Sequence, residues 1–391
     1  MKKIDIIVKY FYPVAAGIET NILETYSVLA KKGWKVDIHT SRDTLTEKNK
    51  LSKKDSIRGL AIFRYPFSRF GFFPDINFGK TDIVALHNFD IFPHIRILFY
   101  VLALKLLHKK TFKLVLTPHG GYTPEWSIFS PVQRLLKKTY HKTLGAWLIN
   151  LTVDVLRCVS EWERDDVISY GVNKQIVTVI PNGVEEEAYL NVEKFVSKQT
   201  KALVRSFGHY IIQVGRIYPI KNYETTIKAL PLIDKKINFV IVGPEDHVMG
   251  KDDYKKELVE LAKKLGVEKR IFFAGVLRGV DKYYAIKKSR LMVHMALWES
   301  FCNVVHEGLS QGRVCVVADN TALPYLIKNG KNGFCVETTN FPKVASKISY
   351  ILDPKNKKRV QKIEKANKIY GLENSWKKVA GYVDTLYSEL L

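Results

Sequence analysis

An α/β protein built on two doubly wound, mostly parallel sheets is the fold that this sequence predicts, and three observations predict it. The chain has 391 residues, 46% of them apolar, more than one hydrophobic core usually organises. Short apolar runs alternate with amphipathic stretches of helix length from the first residues onward, the order that buries a parallel sheet between layers of helices. That alternation stops at a polar stretch, 185–206, and then starts again.

The elements follow in order. Residues 4–8 form the first apolar run. Gly17 then opens a helical stretch with Ile18, Ile22, Tyr26 and Leu29 on one face, Gly33 closes it, and 35–40 alternates as a strand does. Further strands are expected at 60–64, 82–86, 113–117, 155–159 and 177–180, the last running into the turn Pro181-Asn182-Gly183. After the polar stretch the strands are 210–214, 238–242, 271–274, 291–295, 314–318 and 334–336, with helices such as 222–230 and 254–265 between them. The expected division is a first domain over 1–184, a linker over 185–207, a second domain over 208–372, and a closing helix within 373–391, beginning near Trp376, that can lie across both domains.

Composition narrows the function. Cys158, Cys302, Cys315 and Cys335 lack metal-ligand spacing and sit in largely apolar surroundings, which fits reduced thiols and a cytoplasmic protein. The most apolar helical segment, 91–107, holds eight uninterrupted apolar residues between Arg96 and Lys105. Spanning a bilayer needs about 18. The net charge of +23 raises a nucleic-acid reading, but residues 1–183 carry 27 Lys/Arg against 16 Asp/Glu and the remainder 35 against 23. Charge spread so evenly leaves no single nucleic-acid footprint. The local exception is 91–150, with nine basic residues against Glu125 alone.

In doubly wound sheets ligands bind beyond the carboxyl ends of the strands, so the loops there should carry chemistry. One such loop runs Glu299-Ser300-Phe301-Cys302-Asn303-Val304-Val305-His306-Glu307. Asn303 is the expected N-cap of the next helix, the backbone N–H groups around it suit phosphate oxygens, and carboxylates suit vicinal hydroxyls. A surface glutamate followed by a helix-start glutamate would give the same spacing. Arg216 and Lys221 follow the strand 210–214, and Lys221 stands at a helix start, where a cation is disfavoured unless an anion is near. A solvated basic pair is the alternative. Thr117-Pro118-His119-Gly120-Gly121 ends another strand, where His119 can reach a sugar hydroxyl or simply be hydrogen-bonded within the fold. Ala15-Ala16-Gly17 precedes the first helix and can cradle a phosphate or sugar edge, although tight strand-to-helix turns need glycine anyway.

Together, and in this order along nearly the whole chain, these residues resemble glycosyltransferase family 4. The resemblance takes in Gly17, His119, Val159-Ser160-Glu161, Pro181-Asn182-Gly183, Gly215-Arg216 with Lys221, Val242-Gly243, Ala274-Gly275-Val276 and the Glu-x7-Glu at Glu299 and Glu307. It implies the GT-B fold, two Rossmann-like domains facing a central cleft, and a retaining, metal-independent hexosyltransferase that uses a nucleotide-diphosphate sugar as donor substrate and no cofactor. By resemblance Arg216 and Lys221 hold the diphosphate, Glu307 the ribose, Glu299 the transferred sugar, and His119 the donor sugar near the reacting carbon. Gly17, Gly243 and the backbone of Phe301, Cys302, Asn303 and Val304 line the donor, with Val276 and Leu277 against the base. The chain departs from the family pattern at Ala16-Gly17, where many members have two glycines, and at Ser300 and Cys302, where many have glycine.

No Asp-x-Asp stands near a strand end, which agrees with cations of the protein serving where a divalent ion would. The acceptor expected is a glycan or a lipid-linked sugar in surface polysaccharide or glycolipid synthesis. Residues 130–151 are basic early (Arg134, Lys137, Lys138, Lys142) and apolar later (Leu144, Trp147, Leu148), as in a helix lying on an anionic membrane. An ordinary solvated helix is the alternative. Other enzymes of the same fold, a sugar-nucleotide epimerase or a sugar-phosphate synthase, and a basic nucleic-acid-binding protein are the competing readings.

Overall fold

The computed structural model describes residues 2–391 except 15, 45–46, 69–70, 90, 123, 127–128 and 246–253, and only the backbone of 91 and 92. The chain forms two compact units, unit 1 comprising Met1–Gly183 with Trp376–Leu391, and unit 2 comprising Val184–Ser375.

Unit 1 is built on eight strands, β1 (Lys3–Ile7), β2 (Lys35–Ser41), β3 (Lys54–Ile57), β4 (Leu60–Tyr65), β5 (Ile83–His87), β6 (Lys113–Thr117), β7 (Val155–Cys158) and β8 (Val177–Val179). Their spatial order is β3-β4-β2-β1-β5-β6-β7-β8, parallel throughout except where β3 runs antiparallel on β4. Alternate residues face opposite sides of a strand, so each strand buries two sets. Ile4, Ile6, Val36, Ile38, Ile83, Ala85 and Val115 pack under the helices Gly17–Lys31 and Trp376–Leu390, meeting Ile22, Tyr26, Leu29, Val379, Val383 and Tyr387. Ile7, Val84, Leu86, Leu114, Leu116 and Leu156 face the other layer, with Ile97, Leu98 and Val101 of the helix Ile91–Leu106 and Leu148 and Ile149 of the helix Ala146–Thr152.

Unit 2 carries β9 (His209–Val214), β10 (Ile237–Val242), β11 (Ile271–Phe273), β12 (Met292–His294), β13 (Cys315–Ala318) and β14 (Gly333–Val336) in the order β11-β10-β9-β12-β13-β14, and every described pair is parallel. Chain order reverses between β9 and β12, so the loops leaving these two neighbours diverge to opposite faces of the sheet and open a crevice at their carboxyl ends. In unit 1 the same reversal falls between β1 and β5.

Two expectations need correction, and one strand was not expected. Residues 185–207 are not a bare linker: they fold into the short helices Glu186–Tyr189, Val192–Phe195 and Lys198–Ser206, and Ala188, Val192, Val196, Val204 and Phe207 enter the core of unit 2. The spacing of these five apolar residues among many charges hid them. The closing helix belongs to unit 1, where Trp376, Val379, Ala380, Val383 and Tyr387 complete the core beside the 17–31 helix. Finally, β3 had no counterpart in the sequence pattern, because Lys54-Asp55-Ser56-Ile57 lies at an exposed edge and needs no apolar face.

Candidate active site

At the reversal in unit 2 the loop after β9 meets the loop after β12. Lys221 ends a single 3-10 turn, Pro219–Lys221, and Asn222 then takes a left-handed φ of 48° to start the helix Tyr223–Ala229. Lys221 Nζ donates to Glu299 Oε1 at 2.5 Å, and His294 Nε2, at the end of β12, lies 2.8 Å from the same oxygen. The anion expected beside Lys221 is therefore present within the chain. Burial alone would raise the Glu299 carboxyl, but the Lys221 charge and the His294 hydrogen bond outweigh it and hold it at about 2. Burial lowers the His294 imidazole despite that carboxylate, so the ring is neutral beside an ionised acid. The Glu299 backbone is fixed by its N–H donating to Thr321 Oγ1 and its carbonyl accepting from Ala322 N–H. Arg216 is exposed one residue beyond Gly215.

Glycines make the floor of this site. Gly243 has a φ of 152°, and a Cβ there would stand 1.9 Å from the Gly215 carbonyl oxygen. The ends of neighbouring strands are stitched through these turns, Gly215 N–H donating to the Val242 carbonyl and Gly243 N–H to the Gly275 carbonyl. Beyond Gly275, Val276 is half exposed while Leu277 packs partly into the core, a rim on which a flat ring can rest.

The helix Asn303–Ser310 begins differently from expectation. Cys302, not Asn303, is the N-cap residue; it has a left-handed φ of 75° and makes no side-chain cap, and Asn303 is the first helical residue. Cys302 and Phe301 are buried, Asn303 and Val304 half-buried. Glu307, in the second turn, is tied to a cation that the sequence reading missed: Lys282 Nζ donates to Glu307 Oε1 and to Glu185 Oε2, each at 2.9 Å. Burial pushes the Glu307 carboxyl up against the pull of Lys282. Burial would lower the Lys282 ammonium, but its two carboxylates raise it. Among the described residues the buried Glu307 Oε2 has no hydrogen-bond partner. The two glutamates thus sit in separate ion pairs.

In unit 1, His119 follows β6 with a left-handed φ of 50°. Its Nε2 is 2.9 Å from His87 Nδ1, and His87 Nε2 is 2.9 Å from the Tyr26 hydroxyl. Glu163 anchors the loop: its carboxylate accepts from Gly120 N–H and, at 2.7 Å, from Val159 N–H. Burial lifts that carboxyl to about 7 against the pull of both N–H groups. Burial, reinforced by the Arg157 charge, lowers His119 to about 3, so the ring is neutral. Gly17 is the exposed first residue of its helix, and Glu19 turns back to accept from Ala16 N–H at 3.0 Å; Ala15 lies outside the described residues.

His294, Glu299 and Cys302 bring one donor atom each within 4.8 Å, an arrangement that could hold a metal ion. The Lys221 ammonium already occupies the Glu299 oxygen, and burial pushes the Cys302 thiol well up. Among the described residues no helix is long and apolar enough to cross a membrane. The helix Pro131–Tyr140 buries none of its residues and exposes Val132, Leu135 and Leu136 beside Lys137 and Lys138.

Two family models cover most of the chain: "Glycosyltransferase Family 4" matches residues 15–188 and "Glycosyl transferases group 1" matches 198–369. Among curated proteins, the chain is 24% identical to the phosphatidylinositol N-acetylglucosaminyltransferase gpi3 subunit of Schizosaccharomyces pombe, over 97% of this chain and 79% of that one. It is also 24% identical, over 62% of each chain, to the UDP-Gal:alpha-D-GlcNAc-diphosphoundecaprenol alpha-1,3-galactosyltransferase of Escherichia coli. Among solved structures, HepE of Anabaena in complex with UDP and glucose superimposes with a TM-score of 0.77 over the whole of both chains at 17% identity. Sucrose-phosphate synthase of Thermosynechococcus elongatus gives 0.75 at 15% identity, over 100% of this chain and 99% of that one. The fold is GT-B.

Proposed function

Because the chain belongs to the family 4 glycosyltransferases, we propose that it transfers a hexose, with retention at the anomeric carbon and without a metal, from a nucleotide-diphosphate sugar to a glycan or lipid-linked acceptor. The observation that carries this reading is the Lys221–Glu299 pair across the reversal between β9 and β12. A sugar–phosphate bond breaks with negative charge growing on the departing diphosphate, so cations fixed beforehand in a dry site lower the barrier. Arg216 and Lys221 are those cations. Arriving diphosphate shares Lys221 with Glu299, and the ionised Glu299, an acceptor only, turns its remaining lone pairs to hydroxyls of the transferred sugar. As the family resemblance implies, Glu307 takes the ribose hydroxyls, the backbone at Val276 and Leu277 the base, and His119 the sugar. With no carboxylate assigned as nucleophile, the acceptor hydroxyl loses its proton to the leaving phosphate on the same face. Related proteins point to both substrates: HepE was solved with UDP and glucose, and the Escherichia coli relative is named for a lipid diphosphate acceptor.

A second observation favours a lipid-linked acceptor and a cytoplasmic protein held peripherally on the membrane. Val132, Leu135 and Leu136 are each about two-thirds exposed on a helix none of whose residues is fully buried. Leu106, Leu107 and Trp147 are exposed in the same region of sequence, where the net charge is +8. Apolar side chains among lysines suit an anionic interface.

The test pairs a thermal-shift panel of UDP-, GDP- and ADP-sugars with transfer of radiolabelled sugar to a lipid-diphosphate acceptor. One donor should stabilise the protein by mass action. Arg216→Ala and Lys221→Ala should each cut turnover by roughly 10²–10³. Wild-type turnover in the double variant would refute the assignment, and interconversion of donors without a new glycoside would favour an epimerase.

A further inference from the structure

Arg157 is the least expected residue of unit 1. It lies within β7, is fully buried, and among the described residues none of its three guanidinium nitrogens has a hydrogen-bond partner. A buried cation without acceptors is costly, and such a residue calls for a reason.

Register places it. His87 pairs with Thr117, Leu116 with Leu156, and Arg157 with Thr178, so Arg157 stands on the same face of the sheet as His87, the face covered by the 17–31 and 376–390 helices. Those helices supply Tyr26 and Tyr387. The Tyr387 hydroxyl is 2.6 Å from the Tyr26 hydroxyl, which is 2.9 Å from His87 Nε2, and His87 Nδ1 is 2.9 Å from His119 Nε2. Arg157 interacts electrostatically with all four of these groups and with Glu163. His94 is the other titratable group felt at His87.

A chain of four such groups, all neutral, has two proton orders. In the inward order His119 Nε2–H donates to His87, His87 to Tyr26, and Tyr26 to Tyr387. Tyr387 must then donate onward, yet among the described residues it has no hydrogen-bond partner other than Tyr26, and the Arg157 guanidinium, whose charge reaches it, has no acceptor to offer. In the outward order Tyr387 donates to Tyr26, Tyr26 to His87 Nε2, and His87 Nδ1–H to His119 Nε2. The Tyr387 oxygen then keeps both lone pairs free in the field of Arg157, and no hydroxyl proton of the chain lacks an acceptor within it.

We propose that Arg157 is a positioning residue that orders the Tyr387–Tyr26–His87–His119 chain outward, so that His119 presents Nδ1–H as a fixed donor at the end of β6. This rests, for its catalytic consequence, on the reading that His119 touches the donor sugar; the proton order itself does not. The same positive charge opposes protonation of either histidine, so His119 stays a neutral donor.

Nitrogen-15 NMR of histidine-labelled full-length protein reads ring tautomers directly. In the wild type both His87 and His119 should carry the proton on Nδ1, and neither should titrate down to pH 5. A wild-type His119 protonated on Nε2 overturns the proposal. Arg157→Met should mix the tautomers and move histidine protonation toward higher pH, with Arg157→Lys restoring the wild-type spectrum. An unchanged spectrum in a folded Arg157→Met overturns it too. Should that variant not fold, Tyr26→Phe, which removes the donor to His87 Nε2 while keeping Arg157, should release the His87 tautomer. Turnover of Arg157→Met should fall about tenfold, with an acid limb moved to higher pH and donor KM little changed. His119→Ala with wild-type turnover, alongside the expected tautomers, would refute the sugar-contact reading and leave the ordering intact.

Discussion

Removing the Lys221 ammonium should change how unit 2 responds to acid. The Glu299 carboxyl is held at about 2, against an ordinary 4.5, with burial working against that displacement and Lys221 as the largest favourable contributor. At 1.36 kcal/mol per unit, the displacement contributes about 3 kcal/mol to folding. The sign follows from a folded pKa below the unfolded one: the stabilisation is complete above about pH 4.5 and disappears as pH falls toward 2. Lys221→Met strands a buried carboxylate and should cost about 3–5 kcal/mol at pH 7, while flattening the loss of stability in acid. Adding Glu299→Gln should recover part of that cost, because the stranded charge is gone. The assay is hydrogen exchange of β9 and β12 amides between pH 3 and 7, which reads unit 2 separately from unit 1, combined with guanidinium unfolding for the double-mutant cycle. Strictly additive single effects, or a wild-type acid profile in Lys221→Met, would refute the reasoning.

Four further outcomes are expected. Gly243→Ala brings a Cβ to 1.9 Å from the Gly215 carbonyl oxygen at a φ of 152°. It should destabilise unit 2 by about 3 kcal/mol or more in denaturant melts; a melt within 1 kcal/mol of wild type, by the same scale, would contradict the packing. In unit 1 Glu163 works in the opposite sense: its folded pKa is about 7, raised by burial, so exchange protection of β6 and β7 amides should rise as pH falls from 7 to 4.5, by about 3 kcal/mol. Glycosyl transfer should survive excess EDTA, and complete loss reversed by manganese or magnesium would overturn the metal-free reading. Replacing Arg134, Lys137, Lys138 and Lys142 together with Ser should abolish sedimentation with anionic liposomes at low salt, each charge contributing about 1 kcal/mol, and leave sugar-nucleotide binding unchanged.

Much of this architecture can be read from the chain because buried parallel strands are nearly continuous apolar runs between glycines. The run ending at Val242-Gly243 and the one ending at Thr117 need no structure to be recognised. Elements that bury little are invisible to the same reasoning, as β3 shows. The site residues were legible where a loop motif carries them, but their partners were not. Lys282 and Glu185 are ordinary surface-type residues until the fold brings them to Glu307. His294 and Arg157 did leave a signal: each is a polar residue within a strand too apolar to tolerate it without purpose. The N-cap was misplaced by one residue because Cys302 adopts a backbone conformation usual for glycine, and cysteine carries no hint of that.

Unit 1 is completed by the helix Trp376–Leu390, which the ribosome makes only after all of unit 2. Until those residues emerge, Ile22, Tyr26 and Leu29 lack their cover and Tyr26 lacks Tyr387. Unit 2 is contiguous in sequence and meets no such delay. The nascent chain therefore exposes an unfinished sheet face for the time taken to synthesise some two hundred residues, roughly ten seconds or more at 5–20 residues per second. A stop codon or protease cut just before Trp376 would spare every cation and carboxylate of the sugar-nucleotide site. It would dismantle instead the distant end of the histidine chain.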